Sequence, residues 1–469
     1  MTTRLSSILL TRSRRVLNAC LSLGLLVLTS CGSGSSNSTT ASSTPATTLA
    51  AANMWVVAWG ASPENATTSS ANPGGAEQTF RSFFYPTVSG TMERVRFSNY
   101  FGTAPITIGA ARLAVATTPP AIDPTHDVAL TFGGSASVTI APGAEVASDP
   151  VSLTFAFGQK MAVTAYVQGT FPALTQHDSQ VITNYNSAVN AGNATADAVG
   201  ASLSQANSEW FLVSGMDVYG AYQGTVALFG SSTIDGHNSN FGDTNAYPVA
   251  NVAVPGQDND RISDALARTL NGAGYHIGVL NAGILGEFAG PSSGSASGAP
   301  GVDRIGRDVL HQPGITTVVI DLGQFDLRVN NCGEATEVEA SLQNMVAQAY
   351  AAGVRVILGT IAPASYCTDA SSPNYGPNPE NNGGPFAGDI NPGPENPDNA
   401  QRHLVNTWIK TTGATLPGVV AIADFEAMLA DPDHPDFIIP TLNSGDNFHP
   451  NGPGYKVKAQ AIPISSILP

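Results

Sequence analysis

A serine, an aspartate and a histidine occur along the chain in an order that suits acyl transfer. Ser232 lies in a Gly-Ser-Ser turn that follows the apolar residues 226–229, and Asp446 and His449 lie three residues apart near the C-terminus. A carboxylate can hold an imidazole in the tautomer that accepts a serine proton, so these residue types predict a nucleophile, a general base and an orienting carboxylate. Ser232 alone could be a residue that only caps the turn. The Asp446 and His449 pair favours the catalytic interpretation.

These residues need a scaffold that brings distant parts of the chain together. Five strand-like runs alternate with helical patterns, at 225–229, 276–280, 316–322, 354–361 and 419–425. Such alternation is typical of βαβ units and predicts a five-stranded parallel sheet covered by helices, among them 259–270 and 334–352. Parallel strands end on one edge of the sheet, where open α/β folds place their sites. We therefore expect the residues after these strands to meet there with the C-terminal loop, namely Ser232, Gly283, Phe325, Asp446 and His449.

The segment 53–205 lacks long helical periodicity. It contains short β-rich runs between Gly, Pro and Asp turns, for example 94–97, 105–108, 127–132, 138–140, 151–155 and 161–167. This spacing predicts an antiparallel β-sandwich, an accessory domain ahead of a larger domain at 206–469. Aromatic residues in this segment could form a binding platform, although such residues usually belong to a sandwich core; they are Trp55, Trp59, Phe83, Phe84 and Tyr85.

Four short blocks resemble the SGNH/GDSL hydrolase family, in particular secreted bacterial members with an N-terminal β-rich domain. The first block reads GSSTIDG from Gly230 and the last reads DNFHP from Asp446, where the family has roughly GDSITDG and DxxHP. The second is Asn281-Ala282-Gly283, and the third, with Gly-x-Asn-Asp in the family, is Gly323-Gln324-Phe325-Asp326. The resemblance covers nearly the whole chain after the leader. It implies an SGNH-like three-layer α/β/α domain and ester hydrolysis through Ser232, Asp446 and His449.

The resemblance also implies an oxyanion hole with three donors, which are the backbone N–H groups of Ser232 and Gly283 and one Asn side chain. Phe325 stands where the family has this Asn, and Ser231 stands where it usually has Asp. Because Phe325 has no side-chain donor, we expect a hole with two backbone donors and a slow esterase. Gln324 is the adjacent candidate for a substitute donor, provided that the chain has already turned there.

Other polar residues near these blocks have simpler interpretations. Asp235 is expected to be a turn or helix-start residue, and His237 and His434 are expected to be lone loop histidines. No group of His, Cys and Glu has the spacing of metal ligands. The sequence therefore predicts hydrolysis without a metal ion or another cofactor.

The N-terminus has the layout of an export signal. Four arginines precede a short apolar run at 21–28, and a Leu-Thr-Ser-Cys sequence that ends at Cys31 resembles a bacterial lipobox. We expect residues 1–30 to be removed and Cys31 to carry lipid; the alternative is an ordinary signal peptide cut nearby. Residues 31–52 then form a flexible tether rich in Ser and Thr. Either outcome predicts an exported protein, which is anchored at the cell envelope or secreted.

Charge and cysteine usage fit an extracellular protein. The chain has 19 Lys and Arg against 35 Asp and Glu and no basic stretch that could follow a phosphate backbone, so no nucleic-acid partner is expected. This acidity also disfavours anionic membrane surfaces, which leaves lipid on Cys31 as the expected membrane contact. Cys332 and Cys367 each follow one of two consecutive strands, which favours a disulfide across the active edge. Free thiols are the alternative.

Two long loops on the same edge are candidates for setting substrate choice. Residues 288–301 are rich in Gly, Ser, Ala and Pro, and residues 368–398 are much longer than a usual strand-to-helix connection. Each is either a recognition loop or a surface insertion. Neither has the Leu/Ile/Phe-rich face expected of a lid that opens onto lipid droplets.

Together these features predict an exported serine esterase for short acyl or acetyl esters, with an acylated polysaccharide as one candidate substrate. Two alternatives remain open. One is a lipase or lysophospholipase, and the other is a catalytically weakened relative that binds glycans or serves envelope structure. Ser231 and Phe325 motivate the second alternative, whereas the joint presence of the triad residues and Gly283 argues for activity.

Overall fold

The computed structural model describes residues 50–65, 72–178, 181–242, 258–291, 298–328, 332–363, 397–446 and 448–468. The predicted signal, Cys31 and the tether up to residue 49 lie outside the described residues, as do Cys367 and most of the 368–398 loop. From residue 50 onward the described chain forms one compact unit. Within these ranges, no helix combines the length and the apolar character needed to cross a membrane.

The first part of this unit consists of two antiparallel sheets. Within the described ranges the smaller sheet has four strands, in the order β1 (Ala52–Gly60), β11 (Val213–Tyr222), β3 (Glu93–Ser98) and β7 (Glu145–Ala147). The larger sheet has seven, in the order β10 (Gln205–Asn207), β9 (Asn184–Asn186), β2 (Gly75–Phe84), β8 (Met161–Phe171), β4 (Ile106–Ala116) and β5 (Ile122–Ala129), with β6 (Val138–Ile140) paired to β4. The predicted antiparallel β-domain is confirmed, and we call this part the β-rich region.

The two sheets enclose a single apolar core. Val56 and Val218 of the smaller sheet belong to the same buried cluster as Phe80 and Val163 of the larger sheet. Aromatic residues fill much of the space between them. Trp59 stacks on Phe84 with ring centroids 4.4 Å apart, and both side chains are buried together with Phe83. These three aromatic residues are therefore core residues, and Tyr85 packs against the same core, so none of these four forms a binding platform.

Antiparallel pairing continues past residue 205, where the sequence analysis placed the end of the accessory domain. Strand β11, at Val213–Tyr222, pairs with β1 on one side and with β3 on the other. The β-rich region is thus closed by a strand that directly precedes the parallel sheet. Its first strand also contacts that sheet, since the Val57 N–H donates to Thr225 Oγ1 at 3.1 Å.

The second part, which we call the α/β part, is built on a five-stranded parallel sheet. The strands lie in the order β13 (Ile277–Gly283), β12 (Gly224–Gly230), β14 (Ile315–Asp321), β15 (Arg355–Gly359) and β16 (Val419–Ala423). The described helices are α1 (Ser232–Asp235), α2 (Ile262–Gly272), α3 (Gly301–Ile305), α4 (Ala335–Ala351), α5 (Pro397–Lys410), α6 (Phe425–Leu429) and α7 (Gly452–Gln460). All five predicted strands and the two predicted helices are confirmed.

Helices cover both faces of the parallel sheet, which explains why its strands read as unbroken apolar runs. Ala227 and Phe229 of β12 belong to a buried cluster with residues of α3, α4 and α5. The alternate residues, Val226 and Leu228, belong to another cluster with residues of α2, α6 and α7. The arrangement is the three-layer fold that the resemblance implied.

Candidate active site

The turn after β12 places Ser232 at the carboxyl edge of the parallel sheet. The strand ends at Gly230, and Ser232 is the first residue of the four-residue helix α1. Gly230 is required by close packing, because a Cβ there would lie 2.3 Å from Ile234 Cγ1 and 2.6 Å from the carbonyl oxygen of Asp321. The carbonyl of Ser231 accepts the N–H of Asp235 at 2.9 Å and so starts the helix, although the Ser231 side chain makes no capping bond.

The structure brings Ser232, His449 and Asp446 together in one hydrogen-bonded chain. Ser232 Oγ lies 2.8 Å from His449 Nε2. On the other side of the ring, His449 Nδ1 lies 2.5 Å from Asp446 Oδ2. His449 is 8 % exposed and Ser232 is 2 % exposed, so the chain sits in a largely desolvated place. This order of contacts allows His449 to take the serine proton while Asp446 holds the ring and stabilises its charge.

The loop that carries Asp446 and His449 is folded around the carboxylate itself. Asp446 Oδ1 accepts the backbone N–H of Phe448 at 2.9 Å and that of His449 at 2.8 Å. Asn238 Nδ2 donates to Asp446 Oδ2 at 3.3 Å. Burial acts to raise the pKa of Asp446, but the charge of His449 and these hydrogen bonds outweigh it and bring the pKa well below its ordinary value. The carboxylate therefore stays ionised beside the histidine.

The oxyanion role of the Ser232 backbone N–H stays a prediction, which the place of Ser232 at the start of α1 supports. Ser232 is the first residue of α1, and the first N–H groups of a helix have no acceptor within that helix. This N–H could therefore donate to an oxyanion that forms next to Ser232 Oγ without first breaking a hydrogen bond within the helix.

Gly283 has a packing role that the sequence did not indicate. Its N–H donates to Asn281 Oδ1 at 3.0 Å, so this group already has a buried acceptor. A Cβ at Gly283 would lie 2.2 Å from the backbone nitrogen of Asp235. The glycine thus allows α1 to pack directly on β13, and its oxyanion role stays a prediction.

The side-chain amide of Gln324 is the donor that the structure leaves unused. Gln324 is 4 % exposed, and its Nε2 is buried without a hydrogen-bond partner among the described residues. Phe325 follows it and packs on Phe288, with ring centroids 5.0 Å apart. Because an unpaired buried amide is unfavourable, Gln324 Nε2 gains more than an exposed group would from an acceptor that arrives with the substrate. Gln324 remains the better candidate for the missing side-chain donor.

Asp326, the last residue of the third block, holds a neighbouring loop. Its Oδ2 accepts the N–H of Ala289 at 2.9 Å, and its Oδ1 accepts the N–H of Gly290 at 3.3 Å. Burial raises the pKa of Asp326 to about 6, against the lowering effect of these hydrogen bonds. The residue therefore connects the loop after β14 to the first residues of the 288–301 loop.

His237 lies beside the triad and is more than the lone loop histidine that was expected. Its ring centroid is 4.6 Å from that of His449. Burial, followed by the charge of His449, lowers the pKa of His237 to about 4, so it is neutral near pH 7. His434 has a different partner, since its Nδ1 lies 3.5 Å from Asp431 Oδ1.

In the described part of the chain, one group of three His, Cys, Asp or Glu side chains could hold a metal ion. It consists of His237, Asp446 and His449, whose ligand atoms lie within 4.8 Å of one another. Both ring nitrogens of His449 already face partners, Ser232 on one side and Asp446 on the other. A metal ion would have to displace one of these contacts. The arrangement is that of a hydrogen-bonded triad with a second histidine beside it.

Asp235, expected to be a turn or helix-start residue, is the last residue of α1 and also contacts the β-rich region. It is buried, and its Oδ1 lies 3.0 Å from Nε2 of His177, a residue of the β-rich region. Sequence reasoning missed His177, because it belongs to no pattern of spaced polar residues, and Asn281 was noticed only as the first residue of the second block. The predicted disulfide stays a prediction, since Cys332 is buried but Cys367 lies outside the described residues.

Comparison with known proteins identifies the family. Residues 228–457 match the GDSL-like Lipase/Acylhydrolase family, and this part of the chain belongs to that family. Its members hydrolyse carboxylic esters, so the protein is an ester hydrolase of the GDSL-like type. The match spans the Ser232 turn and the Asp446/His449 loop. No curated protein matches the chain.

Solved structures of low sequence identity are also similar. A putative lipolytic protein of the G-D-S-L family from Desulfitobacterium hafniense DCB-2 is 19% identical, covers 52% of this chain and 99% of its own, and has a TM-score of 0.32. A family two carbohydrate esterase from Clostridium thermocellum, in complex with cellohexaose, is 12% identical, covers 85% of this chain and 96% of its own, and has a TM-score of 0.35. The inhibitor-bound aryl esterase of M. smegmatis is 12% identical, covers 52% of this chain and 100% of its own, and has a TM-score of 0.35.

Proposed function

We propose that the protein is an exported serine esterase that hydrolyses short acyl or acetyl esters through an acyl-enzyme on Ser232. The observation that carries this proposal is the hydrogen-bonded chain from Ser232 through His449 to Asp446. A protein that only binds glycans needs no such chain. The weakened-enzyme alternative is therefore less well supported than the esterase.

Each step of the reaction uses a residue of this chain. His449 Nε2 takes the proton of Ser232 as Oγ attacks the ester carbonyl, and Asp446 stabilises the imidazolium. The developing oxyanion receives hydrogen bonds from the Ser232 N–H and from Gln324 Nε2. His449 then protonates the leaving alcohol. In the second half of the reaction, His449 activates a water molecule that hydrolyses the acyl-enzyme and frees Ser232.

The preference for short esters rests on the composition of two segments that the sequence predicts at the same edge of the sheet as the triad. The segment 288–301 contains mainly small residues, and the segment 368–398 is rich in Pro, Asn and Gly. A lid that opens onto lipid would need a large apolar face, and neither segment has one. An exported enzyme also meets acylated polysaccharides outside the cell, which makes their acetyl groups candidate substrates.

Active-site labelling together with a substrate series tests this function. A fluorophosphonate probe should label the wild type at Ser232 and should not label Ser232→Ala. With p-nitrophenyl acetate, butyrate and decanoate, kcat/KM should be highest for acetate. A preference for decanoate would support the lipase alternative, and an unlabelled, inactive wild type would support the weakened relative. Release of acetate from an acetylated polysaccharide, compared with its deacetylated form, tests the polymer as substrate.

The same proposal includes attachment to the cell envelope through lipid on Cys31. The sequence Leu-Thr-Ser-Cys after an apolar run supports it. Cys31→Ser should move the protein from the membrane fraction to the soluble fraction while the esterase activity is retained. A wild type that is soluble and carries no lipid would contradict the anchor and leave the esterase assignment intact.

A further inference from the structure

A buried cluster of charged groups joins the β-rich region to the helix that begins with Ser232. His177 lies between two carboxyl groups, with Nε2 3.0 Å from Asp235 Oδ1 and Nδ1 3.2 Å from Glu64 Oε1. The side chains of all three residues are at most 6% exposed. Glu64 and His177 belong to the β-rich region, whereas Asp235 is the last residue of α1.

The contacts of His177 require both of its ring nitrogens to donate. Nε2 faces the carboxylate of Asp235, and Nδ1 lies 2.8 Å from the carbonyl oxygen of Ser62. A carbonyl oxygen and an ionised carboxylate can only accept, so each nitrogen carries a proton and the ring is an imidazolium. In agreement, burial lowers the pKa of His177 but the charges of Asp235 and Glu64 outweigh it and raise the pKa to about 9. The β-rich region thus presents a positive charge to α1.

The orientation of this imidazolium is fixed from a third direction. The ring of His177 stacks on that of Trp210, with centroids 5.5 Å apart and an angle of 24° between the planes. Trp210 is fully buried. A ring that is held by two acceptors and one stacking partner has little freedom to follow α1 if the helix shifts.

Helix α1 depends on such contacts because it is too short to be stable by itself. It has four residues, and isolated helices much longer than this are marginal in water. From the α/β part, Asn281 Nδ2 donates to the carbonyl of Ile234 at 2.7 Å, and Lys458 Nζ donates to that of Thr233 at 3.3 Å. These contacts reach the helix backbone, whereas His177 holds the side chain of Asp235.

We propose that His177 is a positioning residue, through which the β-rich region holds α1 and keeps Ser232 Oγ in reach of His449 Nε2. The inference rests on the proposed function, since it assigns His177 a part in the esterase reaction. The β-rich region is accordingly a part of the catalytic unit and not a detachable binding module. His177 itself touches neither Ser232 nor the substrate and acts through Asp235.

Two substitutions at His177 test the proposal in the intact protein. His177→Ala should lower kcat for p-nitrophenyl acetate by about 10²-fold with KM nearly unchanged, because displacement of a reacting group by about 1 Å has effects of this size. His177→Gln should recover part of the loss, since its amide nitrogen can donate to Asp235. The rate of fluorophosphonate labelling of Ser232 should change in parallel with kcat.

A matched control separates positioning from general stability. Tyr85 Oη donates to Asp258 Oδ1 at 2.7 Å, which also joins the β-rich region to the α/β part, but this contact does not involve α1. Tyr85→Phe should keep the wild-type kcat whatever its effect on Tm. All rates are measured well below the Tm of each variant. An equal loss of kcat in Tyr85→Phe would show that any weakening of this junction slows the enzyme, and the proposal would be overturned.

The remaining outcomes are also decisive. A folded His177→Ala with wild-type kcat overturns the proposal. If His177→Ala does not fold, His177→Phe replaces it under the same criterion, because a phenyl ring keeps the stacking on Trp210 and loses both hydrogen bonds. If fluorophosphonate does not label the wild type, the esterase function itself fails. If the wild type is labelled and the His177 variant keeps the wild-type kcat, only the role of His177 is overturned.

Discussion

The two parts of the molecule support the same short helix in different ways. The α/β part supplies Ser232 from the end of a strand and holds the backbone of α1 through Asn281 and Lys458. The β-rich region supplies one charged side chain, His177, which binds Asp235. The first kind of support comes from within the α/β part, whereas the second depends on how the two parts of this chain pack. The difference shows that a region without any catalytic motif can still help to build an active site.

The largest expected effect lies entirely within the α/β part. Ser232→Ala and His449→Ala should each lower kcat for p-nitrophenyl acetate by about 10⁴–10⁶-fold, because the triad residues act as one unit. Far-UV circular dichroism should be unchanged in both. Hydrolysis by Ser232→Ala at the wild-type rate would refute the assignment of the nucleophile.

The next effect concerns the oxyanion hole. Gln324→Ala should lower kcat by about 10²–10³-fold, because it removes a buried side-chain donor that has no partner among the described residues and is proposed to bind the oxyanion. Phe325→Asn is the companion variant. If Gln324 already supplies the third donor, the new Asn adds nothing and loses the contact with Phe288, so kcat should not rise. A rise in kcat for Phe325→Asn with an unaffected Gln324→Ala would instead support a hole that has no side-chain donor.

A smaller effect is expected where α1 packs on β13. Gly283→Ala should lower the free energy of unfolding by about 1–3 kcal/mol, because the added methyl group would meet the backbone of Asp235. Gly272→Ala is the matched control, since no atom lies within 4 Å of a Cβ at that position. Urea unfolding of both variants measures the difference. Equal stabilities would show that α1 can shift without cost.

The smallest effect is a dependence of stability on pH that arises in the β-rich region. His177 has a pKa of about 9 in the folded protein and an ordinary value of 6.5. Burial raises the pKa of Glu64 to about 8 from an ordinary value of 4.5. Both groups keep their protons in the folded protein at pH values where the unfolded chain has lost them, so stability falls as the pH rises. Between pH 6.5 and 8 both contribute.

Thermal unfolding across this pH range measures the effect. The Tm of the wild type should fall as the pH rises from 6.5 to 9, and the fall should be smaller in Glu64→Gln. This variant removes the Glu64 carboxyl, so the loss of its proton no longer contributes to the fall. A Tm that rises with pH in this interval would contradict the charge states assigned to the cluster.

Much of the α/β part could be predicted from the sequence, for a local reason. Strands buried on both faces read as unbroken apolar runs, as in residues 226–229, and their alternation with helices leaves one main arrangement. Asp446 and His449 are three residues apart, so their contact is settled by the turn between them. The sequence by itself therefore determined the parallel sheet, the edge at which the site lies and the identity of the three residues that meet there.

The tertiary structure alone decided which polar groups have partners. Gly283 and Gln324 look alike in the sequence as candidate donors, yet packing gives the Gly283 N–H an acceptor and leaves Gln324 Nε2 without one. His177 is 58 residues away from Asp235 along the chain. Nothing in the local pattern marks such a pair, because their contact follows from the packing of the β-rich region against the α/β part. The chemistry of the triad can be predicted from short sequence motifs, whereas the contacts that support the helix carrying Ser232 form only when the whole chain is folded.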